Sequence, residues 1–399
     1  MEKDVDQLLK SLEEIASSRA DSWRSLPPAA FQSQALYELE TEHLFYRGWV
    51  LVGRVDQVKE PGDYLCFDVL DEPIVVVRDL DSKLRVLSRV CRHRWMHVCA
   101  GHGNTHAFVC PYHAWTYGLD GRLRHAPEMD ATPGFDPANT RLPELRAEIW
   151  EGFIFVNISA DAPALSETLS LAQEQLAAYD LQNWVTVRSI DLGENPWDWK
   201  VFMDNGEIYH HLMLHRDTVE PRSPASLSVA SENDGGYFLL HGPAHPSVLI
   251  TAEDGKPMMP SYLRPVGTWS PSRLTPLQRT SATYFYPYPN YVIVLWVNVG
   301  VFFRVTPLAA GRCHIRADYM VPNELAAHPD LENAMDQAVA AFSEVHREDA
   351  RACTAVQKAV GSRFAEQASL SHIEDFNLAF ARWYAGKMVA AAAETANPT

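Results

Sequence analysis

Two short segments constrain this chain more than anything else in it: Cys91-Arg92-His93 and Cys110-Pro111-Tyr112-His113, with 16 residues between His93 and Cys110. Each segment offers one thiolate and one imidazole, so a fold that uses them must bring two loops together around one site. Two Cys and two His form the donor set of a Rieske [2Fe–2S] centre, with both Cys on one iron and both His on the other. Imidazoles are neutral, so they lower the negative charge at the cluster and make its reduction easier than in an all-Cys ferredoxin. The same four side chains can hold a structural zinc. Spacing favours the cluster, because paired zinc ligands usually have two or more residues between them and Cys91 and His93 have one. The surroundings are β-like: Trp115–Leu123 reads as a strand, an Asp120-Gly121 turn and a second strand.

The 399 residues suffice for about two or three domains, and a 47% hydrophobic content supplies their cores. No apolar run reaches the ~18 residues of a membrane span. The acidic start, Met1-Glu2-Lys3-Asp4-Val5-Asp6, lacks the apolar stretch of a secretory signal, so a cytoplasmic location is expected. With Cys91 and Cys110 on the cluster, Cys66, Cys99, Cys313 and Cys353 remain, scattered as free thiols of a reducing compartment would be. A net charge of −17 repels phosphate and argues against nucleic acid as a partner. Locally, Arg89, Arg92, Arg94, Arg122 and Arg124 read either as a solvated surface or as a basic rim that steers an acidic electron donor.

Apolar spacing predicts a helix over residues 3–18, and the aromatic segment 35–48 reads as another. Short strands follow at Trp49–Val55, Tyr64–Val69, Ile74–Arg78 and Leu84–Val90, separated by Pro61-Gly62 and Asp71-Glu72-Pro73. The β-rich region ends near Ile149–Ile158, and residues 161–180 read as a linker and an Ala/Leu-rich helix. Beyond lie longer strands at Ser281–Phe285, Tyr291–Val299 and His314–Met320, then helices from about Asn323, with a frayed end near Ala390–Ala393. The boundaries are therefore 1–48 (N-terminal helical segment), 49–160 (β-rich cluster domain) and 161–399.

A second constellation lies in residues 199–215, which hold Asp204, Asn205, Glu207, His210, His211 and His215. Two His and one carboxylate are the usual holders of mononuclear non-haem Fe(II), leaving positions open for O₂. Arg347-Glu348-Asp349 can supply the carboxylate. The bland reading is an amphipathic helix with buried His. On a regular helix Glu207, His211 and His215 share a face at i, i+4, i+8, which nominates His211 with His215; His210 with His215 needs a distortion.

Cys91-x-His93, Cys110-Pro111-Tyr112-His113-Ala114-Trp115, Trp199-Lys200, Glu207-x-x-His210-x4-His215 and Glu348-Asp349 followed by Val356-Gln357 together resemble the catalytic α subunit of Rieske non-haem iron oxygenases, the ring-hydroxylating oxygenases and related demethylases. The chain departs in having Asp198 before Trp199-Lys200, and only Gly206 between Asn205 and Glu207. The resemblance implies an α+β protein: a Rieske domain ligating its cluster through Cys91, His93, Cys110 and His113, and a helix-grip (START/Bet v1-like) catalytic domain in which an antiparallel sheet wraps a long helix. It implies His210, His215 and Asp349 as ligands of the mononuclear iron, and Glu207 as the bridge along which electrons cross between subunits of a homotrimer. It implies a terminal oxygenase that takes O₂ and electrons from an NAD(P)H-dependent reductase, ferredoxin or flavin type, and hydroxylates or demethylates a small organic substrate. Monooxygenation is the favoured reading, with aromatic cis-dihydroxylation as the alternative.

Two competitors come from other classes. A pure electron carrier has no use for the second constellation or for a further domain, and a zinc-stabilised binding module would be colourless. No nucleotide site is visible, since Gly101-His102-Gly103 lacks a third glycine and lies between cluster ligands, so NAD(P)H is oxidised by a separate protein. The aromatic run Thr283–Tyr291 should reach the catalytic sheet, where it can stack on an aromatic substrate, cage a quaternary ammonium, or simply fill the core.

Overall fold

The computed structural model describes residues 2–18, 22–233, 235–260 and 273–396. Its contacts separate two compact units, one formed by Phe45–Leu165 and the other by Met1–Leu44 together with Ser166–Thr399.

The chain opens with α1 (Glu2–Ala16), whose Leu8, Leu12 and Ile15 recur at helical spacing and form its buried face. Helix α2 (Gln34–Glu40) is capped by the Ser33 hydroxyl, which accepts from Leu36 N at 3.3 Å. The helix expected over 35–48 is not uniform, because its second half, Thr41–Tyr46, winds as a wider π turn.

Ten strands build the smaller unit: β1 (Val50–Arg54), β2 (Asp63–Val69), β3 (Glu72–Arg78), β4 (Leu84–Ser88), β5 (His102–Asn104), β6 (Ala107–Val109), β7 (Thr116–Gly118), β8 (Leu123–His125), β9 (Arg146–Trp150) and β10 (Phe153–Asn157). They pair antiparallel as three small sheets, ordered β1-β10-β9, β4-β3-β2-β5 and β6-β7-β8. Strand β3 reads Ile74-Val75-Val76-Val77 and buries all four, so both of its faces are covered. The Asp120-Gly121 turn joins β7 to β8 as the sequence predicts, with Gly121 at φ 82°.

After α3 (Leu165–Leu176), the larger unit contains β11 (Trp184–Asn195), α4 (Trp199–Asp204), β12 (Val229–Ala230), β13 (Tyr237–Pro243), β14 (Ile250–Thr251), β15 (Pro257–Met258), α5 (Pro276–Arg279), β16 (Ser281–Pro287), β17 (Tyr291–Leu295), β18 (Gly300–Ala309), β19 (Arg312–Pro322), α6 (Leu331–Ala359) and α7 (Asp375–Ala396). Seven strands form one antiparallel sheet, β11-β19-β18-β17-β16-β13-β12. The strand expected over Tyr291–Val299 stops at Leu295, where Trp296 N donates to Val299 O at 2.8 Å and turns the chain into β18. Ala390–Ala393 lies inside α7. Along the 29-residue α6, Phe342, His346, Asp349 and Cys353 recur every three or four residues and so share one face.

Residues 199–215 do not form one helix. Helix α4 starts where the Asp198 carboxylate caps Lys200 N at 3.0 Å and ends after one and a half turns. Gly206 follows, and a Cβ there would lie 2.9 Å from the Tyr286 ring and 3.0 Å from Met203 O. A tight turn, Tyr209–Leu212, carries the next residues. The Glu207 carboxylate accepts from the N–H groups of Tyr209 and His210, and the Tyr286 hydroxyl takes Gly206 O, so side chains replace the helical ladder. The regular-helix argument for His211 with His215 therefore has no helix to act on.

Candidate metal centres

In the smaller unit the two Cys-His segments fold as copies of one loop. Cys91 N donates to Met96 O at 2.8 Å and Trp95 N to Cys91 O at 3.1 Å, with Trp95 at φ 59°. Cys110 N donates to Trp115 O at 2.8 Å and Ala114 N to Cys110 O at 3.0 Å, with Ala114 at φ 57°. Each loop thus turns back through one left-handed residue four positions after its Cys. Both Cys are buried in the unit's core, with Val75, Leu87, Phe108 and Tyr117. The His side chains meet, their ring centroids 4.6 Å apart at 71°. His93 also stacks flat on Trp115 at 4.7 Å, which fixes its plane. The Tyr117 hydroxyl lies 3.3 Å from Cys91 Sγ and accepts from Arg92 N at 3.0 Å.

The donor set fits a two-iron cluster: two soft sulfurs on one side, two adjacent imidazoles meeting edge to face on the other, and a buried His93 Nδ1 with no hydrogen-bond partner among the described residues. Burial, then the neighbouring His113 and Arg94, holds the His93 pKa below its ordinary value, so the ring favours the neutral form a ligand needs.

The proposed basic rim is smaller than the sequence suggests. Arg89 is buried, paired with Asp68 and bonded to Cys99 O at 3.3 Å, so it holds the loop from inside. Arg122 and Arg124 both face Asp120, at 3.8 and 2.8 Å, and Arg92 and Arg94 are exposed. Gly103 lies within β5, beneath the Tyr64 ring.

In the larger unit His210, His211 and His215 bring ligating atoms within 4.8 Å of one another. Asp349, on α6, reaches two of them: Oδ1 is 2.9 Å from His215 Nε2 and 3.7 Å from His210 Nε2. The other ring nitrogens are tied down. His210 Nδ1 lies 2.8 Å from Glu207 Oε1, and His215 Nδ1 lies 2.6 Å from Glu348 Oε2, which also accepts from Thr218 Oγ1 at 2.8 Å. Asn205 Nδ2 donates to Asp349 Oδ1 at 2.9 Å. Each carboxylate accepts a hydrogen bond from Nδ1 and so turns Nε2 towards Asp349. Burial opposes charge on His215, but Asp349 and Glu348 outweigh it and raise its pKa. Burial, then His210 and His215, pushes His211 well below its ordinary value.

Glu348 received no role of its own from the sequence, where the resemblance named Asp349 alone as the ligand. Glu348 and Asp349 stand side by side, and only the helix rotation shows that one reaches Nδ1 and the other Nε2 of the same His215. The roles of Asn205 and Tyr286 were equally invisible.

These groups close one end of a cavity of about 130 Å³. Its walls come from alternate positions of adjacent strands, Ala282, Tyr284 and Tyr286 on β16 and Val292 and Val294 on β17, with Phe303 from β18 and Phe342 from α6. Part of the aromatic run 283–291 thus reaches the cavity, as expected, while Phe285 and Tyr291 are buried outside its lining.

Residues 181–390, just over half the chain, match the family model of the ring hydroxylating alpha subunit (catalytic domain), and residues 48–136 match that of the Rieske [2Fe-2S] domain. The chain belongs to the ring-hydroxylating alpha-subunit family. Choline monooxygenase of Spinacia oleracea is 26% identical over 341 residues, which cover 83% of this chain and 71% of the plant protein. The carnitine monooxygenase oxygenase subunit of Acinetobacter pittii is 32% identical over 201 residues, covering 50% of this chain and 54% of that one. Among solved structures, a quaternary ammonium Rieske monooxygenase superposes with a TM-score of 0.79 at 23% identity, over 94% of this chain and 98% of that one. Naphthalene 1,2-dioxygenase of Rhodococcus sp. also gives 0.79, at 21% identity over 97% and 98%. The fold is that of a Rieske oxygenase alpha subunit: a Rieske unit and a catalytic unit built on an antiparallel sheet. No helix among the described residues is long and apolar enough to cross a membrane.

Proposed function

We propose that this chain is the terminal oxygenase of a multicomponent system and that it hydroxylates or oxidatively demethylates a small quaternary ammonium compound. The carrying observation is the cavity, in which three histidines and Asp349 face walls of aromatic and aliphatic side chains. Cys91, His93, Cys110 and His113 would hold the cluster, and His210, His215 and Asp349 the mononuclear iron. When bound, the cluster supplies electrons one at a time and the iron supplies the activation of dioxygen.

The chain's own residues supply position and exclusion. Glu207 and Glu348 hold the Nδ1 sides of His210 and His215, so both Nε2 atoms face Asp349 as ligand positions. Asn205 holds the Asp349 carboxylate and fixes its rotation. Tyr284, Trp296, Phe303 and Phe342 present aromatic surface to the cavity, which suits a cation without a proton to donate. The volume is near that of an engineered cavity that admits benzene, ~150 Å³, so a substrate of few heavy atoms fits. The choline and carnitine monooxygenases among the relatives support the same class.

As electron donor we propose a ferredoxin or flavin reductase that itself oxidises NAD(P)H. We also propose a homotrimer, in which Glu207 links His210 to His113 of the partner subunit. The test is substrate-dependent O₂ uptake with a surrogate reductase and NADH, against choline, glycine betaine, carnitine and naphthalene. The expected result is uptake with a quaternary ammonium compound, and a product one oxygen heavier or one methyl lighter. Uptake with naphthalene alone, giving a diol, would move the chain to the dioxygenases.

A further inference from the structure

Outside both centres, the smaller unit brings two cysteines together. Cys66 on β2 and Cys99, six residues beyond His93, are 33 apart in sequence, yet their sulfurs lie 3.5 Å apart. Neither is a cluster ligand in the assignment above, and both are half-buried. We propose that Cys66 and Cys99 form an oxidisable dithiol site that takes a low-molecular-weight disulfide such as glutathione disulfide and closes into an intramolecular bond.

Three features of the surroundings carry this. The sulfurs are already in contact at 3.5 Å, so they need to close by only about 1.5 Å to reach the ~2 Å of a disulfide. The backbone holds both partners in place: Cys66 N donates to Gly101 O at 2.7 Å, and β2 pairs with β5 directly beyond Cys99, Leu65 against His102. Third, the buried Arg89 guanidinium bonds Cys99 O at 3.3 Å and sits beside both thiols. Arg89 is also paired with Asp68, but its charge still acts on both thiols, and a nearby cation with partial exposure distinguishes a reactive thiol from an inert buried one. The two thiols share a hydrogen bond, and that contact, with Arg89, lowers the Cys66 pKa, while the same contact and burial raise that of Cys99. Cys66 is therefore the attacking sulfur and Cys99 the resolving one.

The chemistry balances. The Cys66 thiolate attacks one sulfur of glutathione disulfide, the sulfur–sulfur bond breaks, and glutathione leaves as a thiolate. Cys99 then attacks the Cys66 sulfur of the mixed disulfide and expels the second glutathione. Two protein thiols lose two electrons and two protons, and one glutathione disulfide becomes two glutathiones. The product ties the segment that follows Cys91 and His93 to β2, next to the core in which Cys91 and Cys110 are packed.

The experiment uses the full-length, cluster-loaded protein, equilibrated anaerobically in glutathione buffers from fully reduced to fully oxidised. Visible absorption confirms that the cluster stays bound. The protein is then alkylated, digested and analysed by mass spectrometry. The expected result is a peptide pair joined through Cys66 and Cys99, with more than half of the protein cross-linked at the oxidising end and full reversal by excess glutathione. Cys66→Ser and Cys99→Ser each abolish it, whereas Cys313→Ser leaves it unchanged. If the absorption persists and both thiols remain alkylatable at the oxidising end, the site does not exist. Wild-type mapping decides this even where a serine variant fails to load its cluster. A bond that instead joins either thiol to Cys91 or Cys110 would also overturn the assignment.

Discussion

Lys200→Met should be the most damaging single change away from either centre. The Lys200 ammonium lies 2.7 Å from Glu40 Oε1 and 2.7 Å from Asp198 Oδ1, and all three side chains are at most 1% exposed. Glu40 also accepts from Trp199 Nε1 at 2.8 Å and from the Tyr384 hydroxyl, and Asp198 Oδ2 accepts from Gly311 N at 3.1 Å. The triad thus joins α2, the start of α4 and α7. Burial alone would strip the lysine of its proton, but the two carboxylates outweigh it and raise its pKa. Burial also raises Glu40, although Lys200 opposes it.

Methionine fills the space and leaves two buried carboxylates without a cation, a loss of about 3–5 kcal/mol. For a unit of this size that is a fall of roughly 5–15 °C in melting temperature. Thermal unfolding read by tryptophan fluorescence, with the cluster absorption followed separately, measures it. The deficit should shrink as pH falls. In the variant, Glu40 in the folded state has its pKa raised above the unfolded value, so the folded state binds the extra proton and gains stability on acidification. Lys200→Met combined with Glu40→Gln should lose less than Lys200→Met alone, since it removes a stranded charge. A single variant within about 1 kcal/mol of the parent, or a double variant equal to the sum of the singles, would refute the buried-charge reasoning.

His210→Ala should lose mononuclear iron and keep the cluster's EPR signal, while His211→Ala keeps both; iron analysis distinguishes them, and the reverse outcome would make His211 the ligand. Glu348→Gln should weaken iron binding by roughly 10–100-fold with the fold intact, because a neutral amide oxygen replaces the charged acceptor that orients His215. Burial raises the Asp204 carboxyl to about 6, against an Asn377 amide that donates to it at 2.8 Å. The folded state therefore takes up a proton that the unfolded state does not hold between about pH 6 and 4, and stability from this group grows as pH falls. Asp204→Asn should flatten that part of the stability profile, and an unchanged slope in urea unfolding would contradict it.

Much of this protein was legible in residue order, because its chemistry is carried by donors close together in sequence. Cys91-x-His93 and Cys110-x-x-His113 name their element types and their two-loop geometry, and the strands around them turn where Gly and Pro require. The N-terminal helix followed from apolar spacing, and the α+β class from the resemblance that the motifs carry. Sequence periodicity could not see that Gly206 packs against Tyr286, which interrupts α4 and removes the helical register for the histidines. Nor could it divide the roles of Glu348 and Asp349, since adjacent residues on α6 point about 100° apart and only the packed helix decides which nitrogen each meets. Arg89 looked like surface and is a buried brace, and Cys66 and Cys99 looked scattered and are in contact. Identity and spacing along the chain determine which atoms can bind metal. The long-range strand pairing and the rotation of each helix decide which of those atoms meet.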